Sequence, residues 1–200
     1  MAIKVLVAFY SRNGTVENLA NAVAEGAETE GAEIRLRRAR EFVSQEVMGK
    51  APGWIDSASR MNALYGPPSE EDADWADAIA FGTPTRFGAV SAELKAYIDS
   101  LGGLWAQGKL AGKVGSVFSA SSSLHGGNET TIMSLFPPLA HLGFIIVPLG
   151  YTDPALYKAG TPYGATAATG RDRRPLTDDE RAVARYQGKR VAQVAKALRG

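Results

Sequence analysis

The sequence predicts an α/β fold: a parallel β-sheet covered by helices on both faces. Three observations carry this reading. Apolar runs alternate with amphipathic stretches about five times along the chain, the pattern of successive strand–helix units. Four of the five runs are short, apolar throughout and bounded by Gly, Pro or Ser, as strands buried on both faces must be. No tract repeats and none is of low complexity, so one domain over residues 1–200 accounts for the whole pattern.

The first strand is Ile3 to Phe9, IKVLVAF. From Val16 a stripe of Val16, Leu19, Ala20, Val23, Ala24 and Ala27 recurs at helical spacing until Gly31 stops it. Glu33 to Arg38, EIRLRR, alternates and reads as a half-exposed edge strand. Ala78 to Phe81, Val114 to Ser119 and Phe144 to Leu149 complete the set of strands. Helical spacing returns over Ser91 to Leu101 and over Thr130 to Leu142. In the second of these, Pro137 and Pro138 should kink or restart the helix, because proline has no N–H and its ring collides with the preceding turn. The last helix follows Thr177, with Glu180 at the capping-box position. Two long segments, Arg40 to Asp77 and Tyr151 to Thr177, interrupt the alternation, and loops of that length usually serve function or assembly.

Composition narrows the chemistry. The 22 basic and 21 acidic residues leave a net charge of +1, so there is no electrostatic footprint for nucleic acid. Cysteine is absent and the only histidines are His125 and His141, which excludes a Cys/His zinc site and any thiol chemistry. Redox chemistry would have to come from a bound cofactor. No apolar run approaches the roughly 18–20 residues of a membrane span, so no membrane insertion is expected. MAIKVLVAFYSRNG enters a strand directly, without a signal-peptide layout, and the expected compartment is the cytoplasm.

In an open parallel sheet, ligands bind beyond the carboxyl ends of the strands. The loops there are SRNGTV, GTPTRFGAVS and SASSSLHGGNE, all built of hydroxyls, glycines and amides. The first opens a helix, whose free N–H groups and dipole favour an anion. Ser11, Asn13 and Thr15 add donors there, and Gly14 lets the backbone come close. The glycine spacing and lysine of a triphosphate loop are missing, as is G-x-G-x-x-G, so a monophosphate suits this loop better. A plain Ser- or Asn-capped turn is the alternative. In the second loop, backbone groups near Thr85 and Arg86 suit polar ring edges, with Phe87 against a planar ligand; a Pro-stiffened turn is the alternative. Together the three loops favour a flat, polar-edged ligand with a phosphate tail, a description that FMN meets. The acidic run in PSEEDADWADA reads as a solvated helix start rather than a metal site.

The stretches FGTPTRFG (81–88), GGLW (102–105), GTPYGAT (160–166) and ARYQG (184–188) resemble the WrbA-type NAD(P)H:quinone oxidoreductases, nearly end to end and in the family's order. The resemblance implies a flavodoxin-like fold with a five-stranded parallel sheet of order 2-1-3-4-5, bound FMN, NADH or NADPH as co-substrate, and a homotetramer. It places FMN on Ser11, Arg12, Asn13, Gly14, Thr15 and Val16, on Pro84, Thr85, Arg86, Phe87 and Gly88, on Ser119, Ala120, Ser121, Gly126 and Gly127, and on His141. The quinone side falls on Trp105. Asn13 stands where relatives often carry an aromatic residue implicated in nicotinamide contact, and SASSSLHGGNE is bulkier than the Gly- and Thr-rich loop usual in the family. The implied reaction is two-electron, ping-pong reduction of quinones at one flavin face. The rival readings are a flavodoxin-type single-electron carrier, which would be expected to show an acidic docking face, and a non-catalytic FMN-binding adaptor. The Tyr151 to Thr177 segment, with Tyr151, Tyr157 and Tyr163 and few aliphatic residues, needs a surface to lie on, and a neighbouring chain is the expected one.

Overall fold

The structure, a computed structural model, describes residues 2–200. The apolar run at the start forms β1 (Lys4–Phe9), α1 (Thr15–Glu28) follows, and β2 (Glu33–Arg38) returns beside β1 in parallel. The strands β3 (Ala78–Pro84), β4 (Val114–Ser121) and β5 (Ile145–Ile146) extend the sheet on the other side of β1, giving the order β2-β1-β3-β4-β5. Every pairing is parallel, so the carboxyl ends of β1, β3 and β4 lie together at one edge. This is the flavodoxin-like topology.

One face of the sheet packs Val5, Val7, Phe9 and Phe118 against α1 and α8 (Asp178–Arg199). The other packs Leu6, Ala8, Tyr10 and Phe81 against α5 (Ala92–Ser100) and α7 (Asn128–His141). Alternate residues of β1, β3 and β4 therefore enter different cores, which is why these strands are built largely of apolar and small residues. The helices α1 and α8 cross almost in backbone contact: a Cβ on Gly26 would lie 1.8 Å from the Arg185 carbonyl oxygen, and one on Gly188 would lie 1.8 Å from that of Val23. Only glycine fits at either position.

Three expectations are corrected. Pro137 and Pro138 do not interrupt α7, which runs unbroken to His141. The fifth strand is not continuous over Phe144 to Leu149: it covers only Ile145–Ile146 beside the start of β4, and β6 (Thr166–Ala168) takes the place beside the end of β4. Arg40 to Asp77 folds into α2 (Gln45–Gly49), α3 (Trp54–Leu64) and α4 (Glu70–Trp75), started by the side-chain caps Ser44 and Ser69 at α2 and α4. Tyr151 to Thr177 lies chiefly on its own chain, with Leu156, Ala165 and Ala167 in the core, while Tyr151 and Tyr157 stay exposed and packed together at 5.4 Å. The alternation in β2 is real, but its last residue, Arg38, is fully buried.

Candidate functional site

The first loop is held by its own hydroxyl and by a buried arginine. The backbone N–H of Gly14 donates to Ser11 Oγ at 3.0 Å, and Gly14, at φ 93°, is the residue before α1. No side chain caps α1, so its first N–H groups are available to a ligand. Arg38 donates to the Ser11 carbonyl at 2.9 Å and to Asn62 at 2.6 Å, and it pairs with Glu41. Trp54 donates to Glu41 at 3.3 Å, and its ring carries the Arg12 guanidinium at 3.7 Å. Arg60 pairs with Glu17, tying α3 to α1. The long segment after β2 is thus a brace for the loop after β1.

The second loop closes on a tight turn. Arg86 and Ala89 exchange backbone hydrogen bonds at 2.9 and 3.1 Å, with Phe87 at φ 54° and Gly88 at φ 79° between them. Two positive φ values define a type I′ turn, an uncommon place for an aromatic residue. The Phe87 ring stands fully exposed at its tip. Thr85 Oγ1 accepts from Gly88 N at 3.2 Å and from Thr131 Oγ1 at 2.8 Å, joining this loop to α7. In the third loop Ser121 Oγ donates to the Ser123 carbonyl at 2.7 Å and accepts from Asn128 Nδ2 at 3.0 Å. Ser119 Oγ and Asn128 Oδ1 are buried with no partner among the described residues.

Between these loops lies a cavity of about 340 Å³, within the usual size range of small-molecule sites. Ser11, Arg12, Asn13, Thr15, Val16, Pro84, Thr85, Arg86, Ala120 and Ser121 line it, so the structure brings together most of the residues expected from sequence. Gly14, Phe87, Gly88, Ser119 and Gly126 do not line it, and Gly127 faces a neighbouring depression with His125 and Thr130. Ser122, from the expected third loop, also lines it; Thr169, Gly170, Arg171 and Arg173 complete the wall and were not expected. The run of arginines in GRDRRP was the available signal. Nothing in sequence pointed to Trp54 or Arg38, whose roles depend on where the insert folds.

His141 and Trp105 lie elsewhere. The helix α7 starts at the third loop and runs back along the sheet, so His141 stands about 21 Å away along a 14-residue helix. There it shares a surface depression with Trp105, Ile98 and Pro138. Within one chain neither residue touches the cavity.

The donor set fits a phosphomonoester. The cavity wall offers hydroxyls, an amide, guanidinium groups and the open start of α1, and it contains no carboxylate. Among the described residues no cluster of His, Asp or Glu has metal-site geometry. Among the described residues no helix is long and apolar enough to cross a membrane.

Fold and cavity define a flavodoxin-like, cofactor-binding protein. The chain is similar to the WrbA-like flavodoxin of Agrobacterium tumefaciens, with 28% identity over 98% of this chain and 99% of that one and a TM-score of 0.68. It shares its fold with a flavodoxin from the domain Archaea (15% identity, covering 97% and 99% of the two chains, TM-score 0.62). The same holds for Megasphaera elsdenii flavodoxin (15%, 94% and 98%, TM-score 0.56). A model of the NADPH-dependent FMN reductase family matches residues 1–152, and the chain belongs to that family of oxidoreductases. Its cofactor is FMN, and NADPH is the reductant of its family.

Proposed function

We propose that the protein is an FMN-dependent NAD(P)H:quinone oxidoreductase that reduces quinones to hydroquinones by two electrons in a ping-pong sequence. The observation that carries this reading is a cavity with a phosphate-type turn and a wall of hydroxyl, amide and guanidinium donors, whose lining has no histidine, carboxylate or thiol. A protein of that composition supplies orientation and electrostatics, not a nucleophile or a base. When bound, FMN supplies the hydride and electron chemistry.

The residues of the chain divide the remaining work. Ser11, Thr15 and the first N–H groups of α1 would hold the phosphate. Thr85, Arg86 and the end of β4 face the space left for the ring system, and the Arg86 charge favours negative charge developing there. Asn13, exposed on the cavity rim, would meet the nicotinamide, where it offers less flat apolar surface than an aromatic side chain. Phe87, on its strained turn, would wall the substrate slot. Trp105 and His141 lie outside the cavity of the single chain; in the homotetramer that the family resemblance implies, a second copy would present them. Half the surface of Trp105 is exposed in the single chain, as such a role requires.

Initial rates of NADPH oxidation at several benzoquinone concentrations test the reading. Parallel double-reciprocal lines are expected, because one slot admits one substrate at a time. Intersecting lines would show that both substrates bind together. An FMN-loaded protein with no turnover would leave an electron carrier or an adaptor.

A further inference from the structure

The cavity carries more positive charge than one phosphomonoester requires. Arg12, Arg86, Arg171 and Arg173 all line it, and no carboxylate does. Among the described residues no acidic side chain pairs with any of the four. A phosphomonoester brings a charge of about −1.5 to −2 at neutral pH, so roughly two guanidinium charges remain uncompensated. The Arg12 guanidinium pKa is lowered, first by burial and then by Arg86, with Arg173 adding to the effect and Tyr10 and Glu93 opposing it.

Two of the four are presented by a loop that is fastened at both ends. Thr169 donates to the Ser121 carbonyl at 3.1 Å, and the Arg174 backbone donates to Thr169 at 2.9 Å. The Arg174 side chain, unlike its neighbours, is fully engaged: two nitrogens reach Glu180 at 2.8 Å and one also reaches the Ala168 carbonyl at 2.8 Å. Gly170 to Arg173 therefore project from a fixed base. Arg173 holds a left-handed backbone, φ 54°, that disfavours a branched or bulky residue and costs conformational energy. Asp172, between the two arginines, does not reach the cavity wall. In the sheet, this loop follows β6 beside β4, whereas Arg12 follows β1, so the arginines approach the cavity from opposite sides.

We infer that Arg171 and Arg173, with Arg12 across from them, form a second phosphoryl subsite at the mouth of the cavity, which takes a phosphate of the incoming nicotinamide nucleotide. The inference rests on the reading proposed above. A nucleotide whose nicotinamide is inside the cavity must lay its remaining phosphates across the mouth. The arginine fork matches a terminal dianion better than a diester, which favours the 2′-phosphate of NADPH over the pyrophosphate shared with NADH.

The test compares the wild type with Arg171→Gln/Arg173→Gln and with Arg173→Gly, all saturated with FMN. The glycine variant removes the charge while tolerating the backbone, so a folding failure of the double variant would not decide the matter. Expected are an FMN dissociation constant within about twofold of wild type and a fall of roughly tenfold or more in kcat/KM for NADPH, about 1.4 kcal/mol. NADH should be unaffected. Calorimetric binding of adenosine 2′,5′-bisphosphate should be lost, with 5′-AMP unchanged. Equal falls for NADPH and NADH, with a phosphate-free dihydronicotinamide unaffected, would support the subsite and assign it to the pyrophosphate. A tenfold loss of FMN affinity with nucleotide kinetics intact at saturation would give the arginines to the cofactor and overturn the inference. So would no change in any quantity. A wild type that binds adenosine 2′,5′-bisphosphate but oxidises no reduced nicotinamide would sink the functional reading and leave the subsite standing.

Discussion

At the scale of single residues, the cavity separates contact from support. Thr15 lies on the cavity wall at the first turn of α1, so its hydroxyl is placed to donate to a phosphate. Thr15→Ala removes one hydrogen bond to a charged group, typically worth about 1.5–3 kcal/mol. We expect FMN affinity to fall about tenfold or more while riboflavin, which has no phosphate, binds as before. Parallel fluorescence titrations with the two flavins check this, and equal losses would remove Thr15 from the phosphate site. Arg38 acts at one remove. It does not line the cavity, but it holds the carbonyl of Ser11 and so sets the orientation of the turn.

At the scale of elements, the motifs that resemble the family do structural work. Gln187, in ARYQG, is completely buried and bridges three elements. It accepts from the Ala165 N–H at 2.8 Å and donates to Ser116 Oγ at 2.7 Å and the Val117 carbonyl at 2.9 Å. The residue before β6, in GTPYGAT, is thereby tied to β4 and α8. Gln187→Leu fills similar volume but leaves a buried N–H and a buried carbonyl without partners. The expected loss is about 2–4 kcal/mol, read from urea unfolding, since each unmet group costs about 1–3 kcal/mol. Because β6 carries the loop with Arg171 and Arg173, hydrogen exchange at residues 165–174 should rise more than in α1. Uniform loosening would show that Gln187 serves the whole core and not this edge.

At the scale of the whole molecule, ion pairs join the inserted segments to the sheet. Burial alone would raise the pKa of Asp72, but hydrogen bonds from Arg37 and Arg35 outweigh it and hold the carboxyl below its ordinary value. The same balance, burial against Arg38 and against Arg174, lowers Glu41 and Glu180. Carboxylates with depressed folded-state values stabilise the fold above their unfolded pKa, about 4, and that contribution is lost as pH falls through the lower folded values. Stability should therefore be level near neutrality and decline below about pH 4, with a shallower decline in Asp72→Asn. Urea midpoints over pH 2.5–7 provide the measurement, and an unchanged slope in the variant would remove Asp72 from the account. Assembly is the second property at this scale. If a second copy brings Trp105 and His141 to the cavity, dilution should lower quinone reduction in step with dissociation. Light scattering and turnover over one dilution series test this, and a fully active monomer would refute the shared site.

The sequence by itself determined the layers of the fold and the floor of the site, because both are local properties. Apolar runs buried on two faces, stripes at helical spacing and hydroxyl–glycine turns at strand ends are written within a few consecutive residues. The residues from Ser11 to Val16 and from Pro84 to Arg86 were legible for that reason. Only the tertiary structure decided what depends on chain segments far apart. Trp54 comes beneath Arg12 because α3 is tied to α1 and β2. Arg171 and Arg173 reach the cavity because β6 replaces the end of β5 beside β4. His141 leaves it because α7 continues without a break through two prolines, away from the third loop. Each outcome is settled by packing between residues 24 or more positions apart or by the continuity of a whole helix, and neither leaves a mark in the local pattern of residues.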